Sequence, residues 1–139
     1  MQGSVVVDAS SLAALLLPER YSDWVEERLA EALYLHAPSL IVYEAANVLW
    51  KKHVLLGAID GETLRAAFRL LERLLGVVRI HGFQEFIVEA EDIAVRERIT
   101  VYDASYLALA VKLGARLVTL DVKLKQRLSG RLREIVVAP

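Results

Sequence analysis

The amino-acid sequence predicts a three-layer α/β domain, in which helices cover both faces of a parallel sheet. Short apolar stretches alternate along the chain with longer segments whose apolar residues recur at helical spacing, and this alternation is typical of a parallel sheet. Twice, at Asp8 and at Asp121, an acidic residue stands just past a strand and ahead of a helix. Because 139 residues suit one domain and can bury a core, we expect a single domain over residues 1–139.

Five stretches have the composition of strands. The run Ser4-Val-Val-Val7 is β-branched and apolar, as in a parallel strand buried on both faces. The last stretch, Glu134-Ile-Val-Val137, suits an edge strand. We expect strands at residues 4–7, 35–37, 77–80, 116–119 and 134–137.

Helical patterns occupy the intervals between these strands. Pro18, Gly57 and Gly114 end three of them, because proline and glycine terminate helices. Pro38 suits the first position of the next helix. We expect helices at residues 9–17, 19–35, 40–56, 83–98, 100–114 and 122–128, and a further helix that begins at residue 60.

Composition excludes several classes of site. The chain has no cysteine, so disulfides, thiolate zinc sites and cysteine nucleophiles are excluded. No apolar run approaches the ~18 residues of a membrane span, and the N-terminus lacks the basic start of a signal peptide, so we expect a soluble cytoplasmic protein. The net charge of −1 selects no partner. The hydrophobic content of 55% exceeds the ~45–50% of ordinary globular chains, which favours a dense core or an apolar surface between subunits.

Asp8 and Asp121 allow two interpretations. Each can be an ordinary helix N-cap. Each can also be a ligand carboxylate, because open α/β folds place their sites at the carboxyl edge of the sheet. Ser10 follows Asp8 closely and can add a hydroxyl group.

Glu44 lies in the middle of an apolar helical segment, where neither capping nor a helix end accounts for its charge. It shares one helix face with Leu40, Asn47 and Lys51. A charged residue among apolar neighbours is almost never fully buried without a partner. Glu44 therefore has a functional role, or it forms a salt bridge or lies at an exposed edge.

Asp103 stands at the head of a strongly apolar helix in which Tyr106, Leu107 and Ala110 recur at helical spacing. With Thr100 as N-cap, the spacing also fits a capping box. The functional interpretation is a carboxylate at the edge of the core, where charge is costly unless a cation or donors meet it.

In a parallel sheet, these four acids from four segments can converge on one edge. Two carboxylates ~4 Å apart repel by ~4 kcal/mol at an effective dielectric of 20, so several such pairs would consume much of the ~5–15 kcal/mol stability of a domain. A divalent cation or protonation must then offset the charge. Oxygen-only ligands without cysteine or paired histidine favour Mg²⁺ or Mn²⁺, and we treat His36, His53 and His81 as structural or surface residues.

The sequence resembles the PIN-domain ribonucleases, and among them the VapC-like toxins of prokaryotic toxin–antitoxin pairs. The resemblance covers nearly the whole chain and rests on the order and spacing of four motifs. These are Val5-Val-Val-Asp8-Ala-Ser-Ser11, Glu44-Ala-Ala-Asn47-Val-Leu49, Thr100-Val-Tyr-Asp103-Ala-Ser-Tyr106-Leu-Ala-Leu-Ala110 and Leu117-Val-Thr-Leu-Asp121.

The resemblance implies a PIN-like α/β/α sandwich with a central five-stranded parallel sheet. It implies a Mg²⁺- or Mn²⁺-dependent endoribonuclease that forms a homodimer or larger homo-oligomer and is inhibited by an antitoxin, with a basic side chain of the antitoxin among the carboxylates. Asp8, Glu44, Asp103 and Asp121 would be its catalytic and metal-binding residues. The helper residues would be Ser10, Asn47 and Thr119.

One departure from the family concerns a fifth acid. Many relatives carry it three residues after the fourth acid, and this chain has Leu124 there, which puts a second metal in doubt. We expect phosphodiester hydrolysis by water, with phosphate contacts from basic residues near the motifs. These candidates are Lys51, Lys123, Lys125 and Arg127.

Three other functions remain open at this stage. A phosphoacceptor receiver domain usually has an acidic pair beside its first strand, but Ala9 follows Asp8. A haloacid-dehalogenase-type phosphatase needs a second aspartate where this chain has Ser10. A PIN-like module that binds RNA or a partner without catalysis is the non-enzymatic alternative, and the presence of all four acids argues against it.

Overall fold

A central parallel sheet organises the fold in the computed structural model, which describes residues 2–139. The strands are β1 (Ser4–Val7), β2 (Tyr34–Pro38), β3 (Val78–His81), β4 (Arg116–Val118) and β5 (Val136–Val137). Their order across the sheet is β3-β2-β1-β4-β5, and every neighbouring pair is parallel. The expected five-stranded parallel sheet is therefore confirmed.

Eight α-helices connect the strands within the described residues. They are α1 (Ala9–Leu16), α2 (Ser22–Ala30), α3 (Leu40–Trp50), α4 (Gly61–Leu75), α5 (Ile87–Glu97), α6 (Val101–Leu113), α7 (Val122–Arg127) and α8 (Gly130–Ile135). A π-helical turn, Lys51–Leu55, continues α3, and a 3₁₀ turn, Phe83–Glu85, precedes α5.

The direction of the chain across the sheet separates the helices into two layers. From β1 through β2 to β3 the chain moves toward one edge, and it then returns past β1 to β4. Because crossover connections are right-handed, the reversal places α5 and α6 on the face opposite α1 to α4. Helix α6 packs across β1, β2 and β4, whereas α1, α3 and α4 contact one another. The three-layer α/β/α architecture predicted from the sequence is confirmed.

Helix α6 forms the centre of the core. Its residues from Ala104 to Ala110 are all buried, because the helix lies between the sheet and α5. Thr100 caps its start by accepting a hydrogen bond from the backbone N–H of Asp103, and Gly114, at φ 62°, caps its end. Glycine reaches this left-handed conformation without the strain that a side chain would add.

Some element boundaries differ from the sequence predictions. The helix expected over 19–35 is shorter, because the backbone N–H groups of Leu33 and Tyr34 both donate to the carbonyl oxygen of Gly3 and direct the chain into β2. Pro38 ends β2 and does not start a helix. Its missing N–H is tolerated because β1 pairs only with residues 34–36 of β2.

Two further boundaries differ. The helix expected over 40–56 is α-helical only to Trp50. The last strand is reduced to Val136–Val137, because α8 takes up the residues before it. In residues 2–139, no helix is both long and apolar enough to cross a membrane.

Candidate active site at the edge of the sheet

Asp8 lies where β1 meets α1, and three protein donors fix its carboxylate. Its Oδ1 accepts a hydrogen bond from the backbone N–H of Ser11 at 3.0 Å and another from the hydroxyl of Ser10 at 2.7 Å. Its Oδ2 accepts a hydrogen bond from the hydroxyl of Thr119. The hydrogen bond from Ser11 makes Asp8 the N-cap of α1, so the capping interpretation holds. The hydroxyl groups of Ser10 and Thr119 also fix the orientation of the Asp8 carboxylate, which capping alone does not require.

Thr119 connects Asp8 to Asp121. It is fully buried, and its hydroxyl oxygen accepts a hydrogen bond from the backbone N–H of Asp121 at 2.9 Å. The hydroxyl oxygen of Ser10 likewise accepts from the backbone N–H of Leu120 at 3.1 Å. Asp121 caps α7 by accepting at Oδ1 from the N–H of Leu124 at 3.0 Å. Side-chain hydroxyls therefore join the ends of β1 and β4, which are adjacent at the point where the strand order reverses.

Glu44 reaches the same region from α3. It is half-buried, and its Oε1 accepts a hydrogen bond of 2.6 Å from the hydroxyl of Tyr106 on α6. Asp103, also half-buried, lies one turn earlier on α6. The two helices therefore bring Glu44 and Asp103 toward the edge where Asp8 and Asp121 lie.

The carboxylates act on one another electrostatically. Burial is the main cause that raises the pKa of Asp8, opposed by the hydrogen bonds from Thr119, Ser11 and Ser10. Burial also raises the pKa of Glu44, and the charges of Asp8 and Asp103 raise it further, while the hydrogen bond from Tyr106 lowers it.

Asp103 shows the same coupling. Burial raises its pKa first, and the charges of Asp121 and Asp8 add to the rise. The hydrogen bond from Thr100 and the positive charge of Arg127 oppose it. The charges of Asp8, Asp103 and Asp121 therefore raise the pKa of neighbouring carboxyl groups, and a bound cation would reduce this repulsion.

The donor set fits a hard divalent cation in chemistry, although the acids are not yet arranged as a cage. Four carboxylates without thiolate or imidazole match the oxygen ligands that Mg²⁺ and Mn²⁺ prefer. Within residues 2–139, however, no group of three or more acidic or histidine side chains stands close enough to hold a metal ion. Protein donors occupy both oxygens of Asp8 and one oxygen each of Glu44 and Asp121. Metal binding would therefore require some of these carboxylates to move closer together.

The remaining candidate residues differ in whether they contact the four acids. Ser10 and Thr119 contact Asp8 directly. Asn47 is exposed and lines a cleft between α3 and α4 beside Glu44. Arg127 is near enough for its charge to act on Asp103. Within residues 2–139, the other basic candidates form no ion pair with any of the four acids; these are Lys51, Lys123 and Lys125.

Tyr106 is the site residue that sequence reasoning did not identify. Its helical spacing assigned it to the core, and it is indeed buried, with 4% of its surface exposed. A signal was present, because Tyr106 lies three residues after Asp103 and therefore shares its helix face. The partner of its hydroxyl is Glu44, 62 residues away in the sequence, and local sequence patterns do not reveal a contact at that separation.

The histidines lie elsewhere in the fold. His36 is buried on β2, where Nε2 is 3.1 Å from the hydroxyl of Ser4 and Nδ1 is 2.9 Å from Nε2 of His81. His53 Nδ1 lies 2.8 Å from the carbonyl oxygen of Ile59. These contacts fit the structural role expected for the histidines.

Comparison with known proteins places the chain in a family. Residues 5–127 match the PIN domain. The chain is 37% identical over 123 residues to Ribonuclease VapC3 of Pyrobaculum aerophilum, covering 88% of this chain and 93% of that protein. It is 36% identical over 127 residues to Exonuclease VapC9 of the same organism, covering 91% and 87%. The crystal structure of PAE2754, also from Pyrobaculum aerophilum, superposes with a TM-score of 0.63 at 34% identity, covering 94% of this chain and 85% of that one. The chain therefore belongs to the PIN-domain family.

Proposed function

We propose that this protein is a Mg²⁺- or Mn²⁺-dependent endoribonuclease and the toxin of a VapBC-type toxin–antitoxin pair. One observation carries the proposal. Thr119 joins Asp8 to Asp121 where the strand order reverses, and Glu44 on α3 and Asp103 on α6 are near enough to be repelled by the charges of this group. The ribonuclease names of similar proteins agree with this chemistry.

The four acids would hold the ion, and the rest of the site would orient them. When bound, the ion supplies Lewis-acid stabilisation of the charge that develops on the phosphate during attack by water. Ser10 and Thr119 hold the Asp8 carboxylate by hydrogen bonds from their hydroxyl groups. Arg127 is near enough for its charge to act on Asp103, and its guanidinium could meet a non-bridging phosphate oxygen of bound RNA.

The same acids also explain why a cation would be needed before RNA binds. A phosphodiester is anionic, and carboxylates without a cation repel it. Without metal, the positive charge that acts on Asp103 within the described residues is that of Arg127. RNA binding by the metal-free protein is therefore expected to be weak.

Exonuclease activity is a second candidate, because one of the similar proteins is named an exonuclease. The decisive experiment uses two RNAs of the same sequence, one linear with a labelled 5′ end and one covalently closed into a circle. We expect the purified protein with Mg²⁺ to cut both, and EDTA or the substitution Asp103→Asn to stop both reactions. Degradation of the linear RNA alone would support an exonuclease. Failure to cut either RNA, together with measurable RNA binding, would support a non-catalytic binding module.

The proposal includes a homo-oligomer, an antitoxin and action on cytoplasmic RNA. Large apolar side chains are exposed beside the site, among them Tyr43, Trp50 and Tyr102, and such surfaces suit protein partners. Light scattering should give a mass of at least twice 15.5 kDa. A monomer at all micromolar concentrations would contradict the oligomer.

Co-expression with the neighbouring gene product should abolish RNA cleavage if that product is the antitoxin.

A further inference from the structure

The contact between Tyr106 and Glu44 constrains how Glu44 can bind an ion. The hydroxyl of Tyr106 donates to Oε1 of Glu44 at 2.6 Å, a length typical of a strong bond to a charged carboxylate. Tyr106 is only 4% exposed, and its helix is held between the sheet and α5. The hydroxyl therefore cannot move aside without losing its partner in a buried environment.

The two oxygens of Glu44 are consequently unequal. Oε1 accepts the hydrogen bond of the tyrosine, whereas no side-chain or backbone donor among the described residues reaches Oε2. An ion that binds Glu44 through Oε2 alone leaves the tyrosine bond intact. An ion that binds both oxygens must share Oε1 with the hydroxyl, which draws electron density from that oxygen and restricts the directions from which the ion can approach. If the ion displaces the hydroxyl, the buried hydroxyl loses its partner and carries a desolvation penalty.

Mg²⁺ and Ca²⁺ differ in this requirement. Mg²⁺ demands near-octahedral geometry at short distances and usually takes one oxygen from each carboxylate, whereas Ca²⁺ accepts six to eight oxygens and often takes both from one carboxylate. We propose that the Tyr106 hydroxyl keeps Glu44 a one-oxygen ligand and so biases the site toward Mg²⁺ or Mn²⁺ and against Ca²⁺. The inference rests on the proposed metal site and assigns Tyr106 as a positioning residue.

The test is the substitution Tyr106→Phe, which keeps the buried ring and removes the hydroxyl. Affinities of the metal-free, full-length protein for Mg²⁺ and Ca²⁺ are measured by titration calorimetry without RNA, so the readout does not depend on catalysis. We expect the ratio of the two dissociation constants to move toward Ca²⁺ by on the order of tenfold, the effect of relieving one buried unpaired hydroxyl. A merely structural tyrosine would weaken both ions equally or neither.

Ser105→Ala provides the matched control. Ser105 is 3% exposed on the same helix, and its hydroxyl donates at 2.6 Å to the carbonyl oxygen of Tyr102, away from the acids. Its loss should leave the ratio unchanged. An unchanged ratio in Tyr106→Phe, or an equal change in both variants, would overturn the inference while leaving the proposed function standing.

Two further outcomes are decisive. If wild type binds neither ion, the metal site itself is wrong and the inference falls with it. If Tyr106→Phe does not fold, crystals of wild type with Mn²⁺ and with Ca²⁺ decide the matter. Glu44 should bind Mn²⁺ through one oxygen while the tyrosine keeps the other, and binding of Mn²⁺ through both oxygens would refute the role of Tyr106.

Discussion

Substitution of Thr119 by valine tests the connection between the two strand ends. Valine keeps the branched shape of the side chain but removes a hydroxyl that donates to Asp8 and accepts from the backbone N–H of Asp121. Thr119 is fully buried, so water cannot replace the hydroxyl. The substitution therefore leaves Asp8 with one donor fewer and removes the acceptor that the backbone N–H of Asp121 has in the fold.

The expected loss of stability follows from these two bonds. A hydrogen bond to a charged group contributes ~1.5–3 kcal/mol and a neutral one ~0.5–1.5 kcal/mol, so Thr119→Val should reduce the free energy of unfolding by ~2–4.5 kcal/mol. At about 4 °C per kcal/mol for a chain of this size, the melting temperature should fall by about 8–18 °C. RNA cleavage should fall by on the order of 100-fold, because both aspartates lose their orientation.

Thermal melting in EDTA measures the stability term, and cleavage of labelled RNA in Mg²⁺ below the melting range of the variant measures the catalytic term. Thr119→Ser is the control, since it restores the hydroxyl and removes only a methyl group. It should recover most of the melting temperature and most of the activity. If Thr119→Val melted within 2 °C of wild type, the hydroxyl would not stabilise the site, and our account of the two strand ends would be wrong.

Two predictions concern Asp103. In EDTA, Asp103→Asn should melt at or above the melting temperature of wild type, because the substitution removes a charge that Asp121 and Asp8 repel. Mg²⁺ should raise the melting temperature of wild type more than that of the variant. Equal gains in the two proteins would show that Asp103 is not a ligand. The fold raises the pKa of Asp103 above its ordinary value of 3.8. The charged carboxylate therefore destabilises the folded state at pH values above the folded pKa, and this penalty disappears as the pH falls from the folded pKa to 3.8. The difference in stability between the variant and wild type in EDTA should therefore shrink as the pH falls through the folded pKa, and a difference that grew toward acid pH would contradict the raised pKa.

Local sequence was sufficient for the elements whose signals are local. The β-branched run before Asp8 and the apolar periodicity after Thr100 gave β1 and α6 nearly at their observed bounds. The sequence also predicted the capping roles of Asp8 and Asp121, and each accepts a hydrogen bond from the backbone N–H three residues later. Such bonds depend on spacing along the chain and need no tertiary contact.

Local sequence did not predict the element boundaries that contacts between distant residues set. The chain leaves α2 for β2 because residues 33 and 34 donate to the carbonyl oxygen of Gly3, about 30 positions away. The shortened β5 is held by pairing with β4. Periodicity cannot reveal such contacts, since it reports which face of an element is apolar and not what that face meets.

The sequence by itself determined the fold class and singled out the four acids as candidates, because strand–acid–helix order and the resemblance to PIN-domain ribonucleases are both properties of the linear chain. Only the tertiary structure decided that β4 lies beside β1, which allows Thr119 to bridge Asp8 and Asp121, and that α3 faces α6 so that Tyr106 meets Glu44. Strand order and helix packing are set by the simultaneous burial of all apolar faces in one core. For this reason the partners of the carboxylates follow from the whole fold and not from the motifs that contain them.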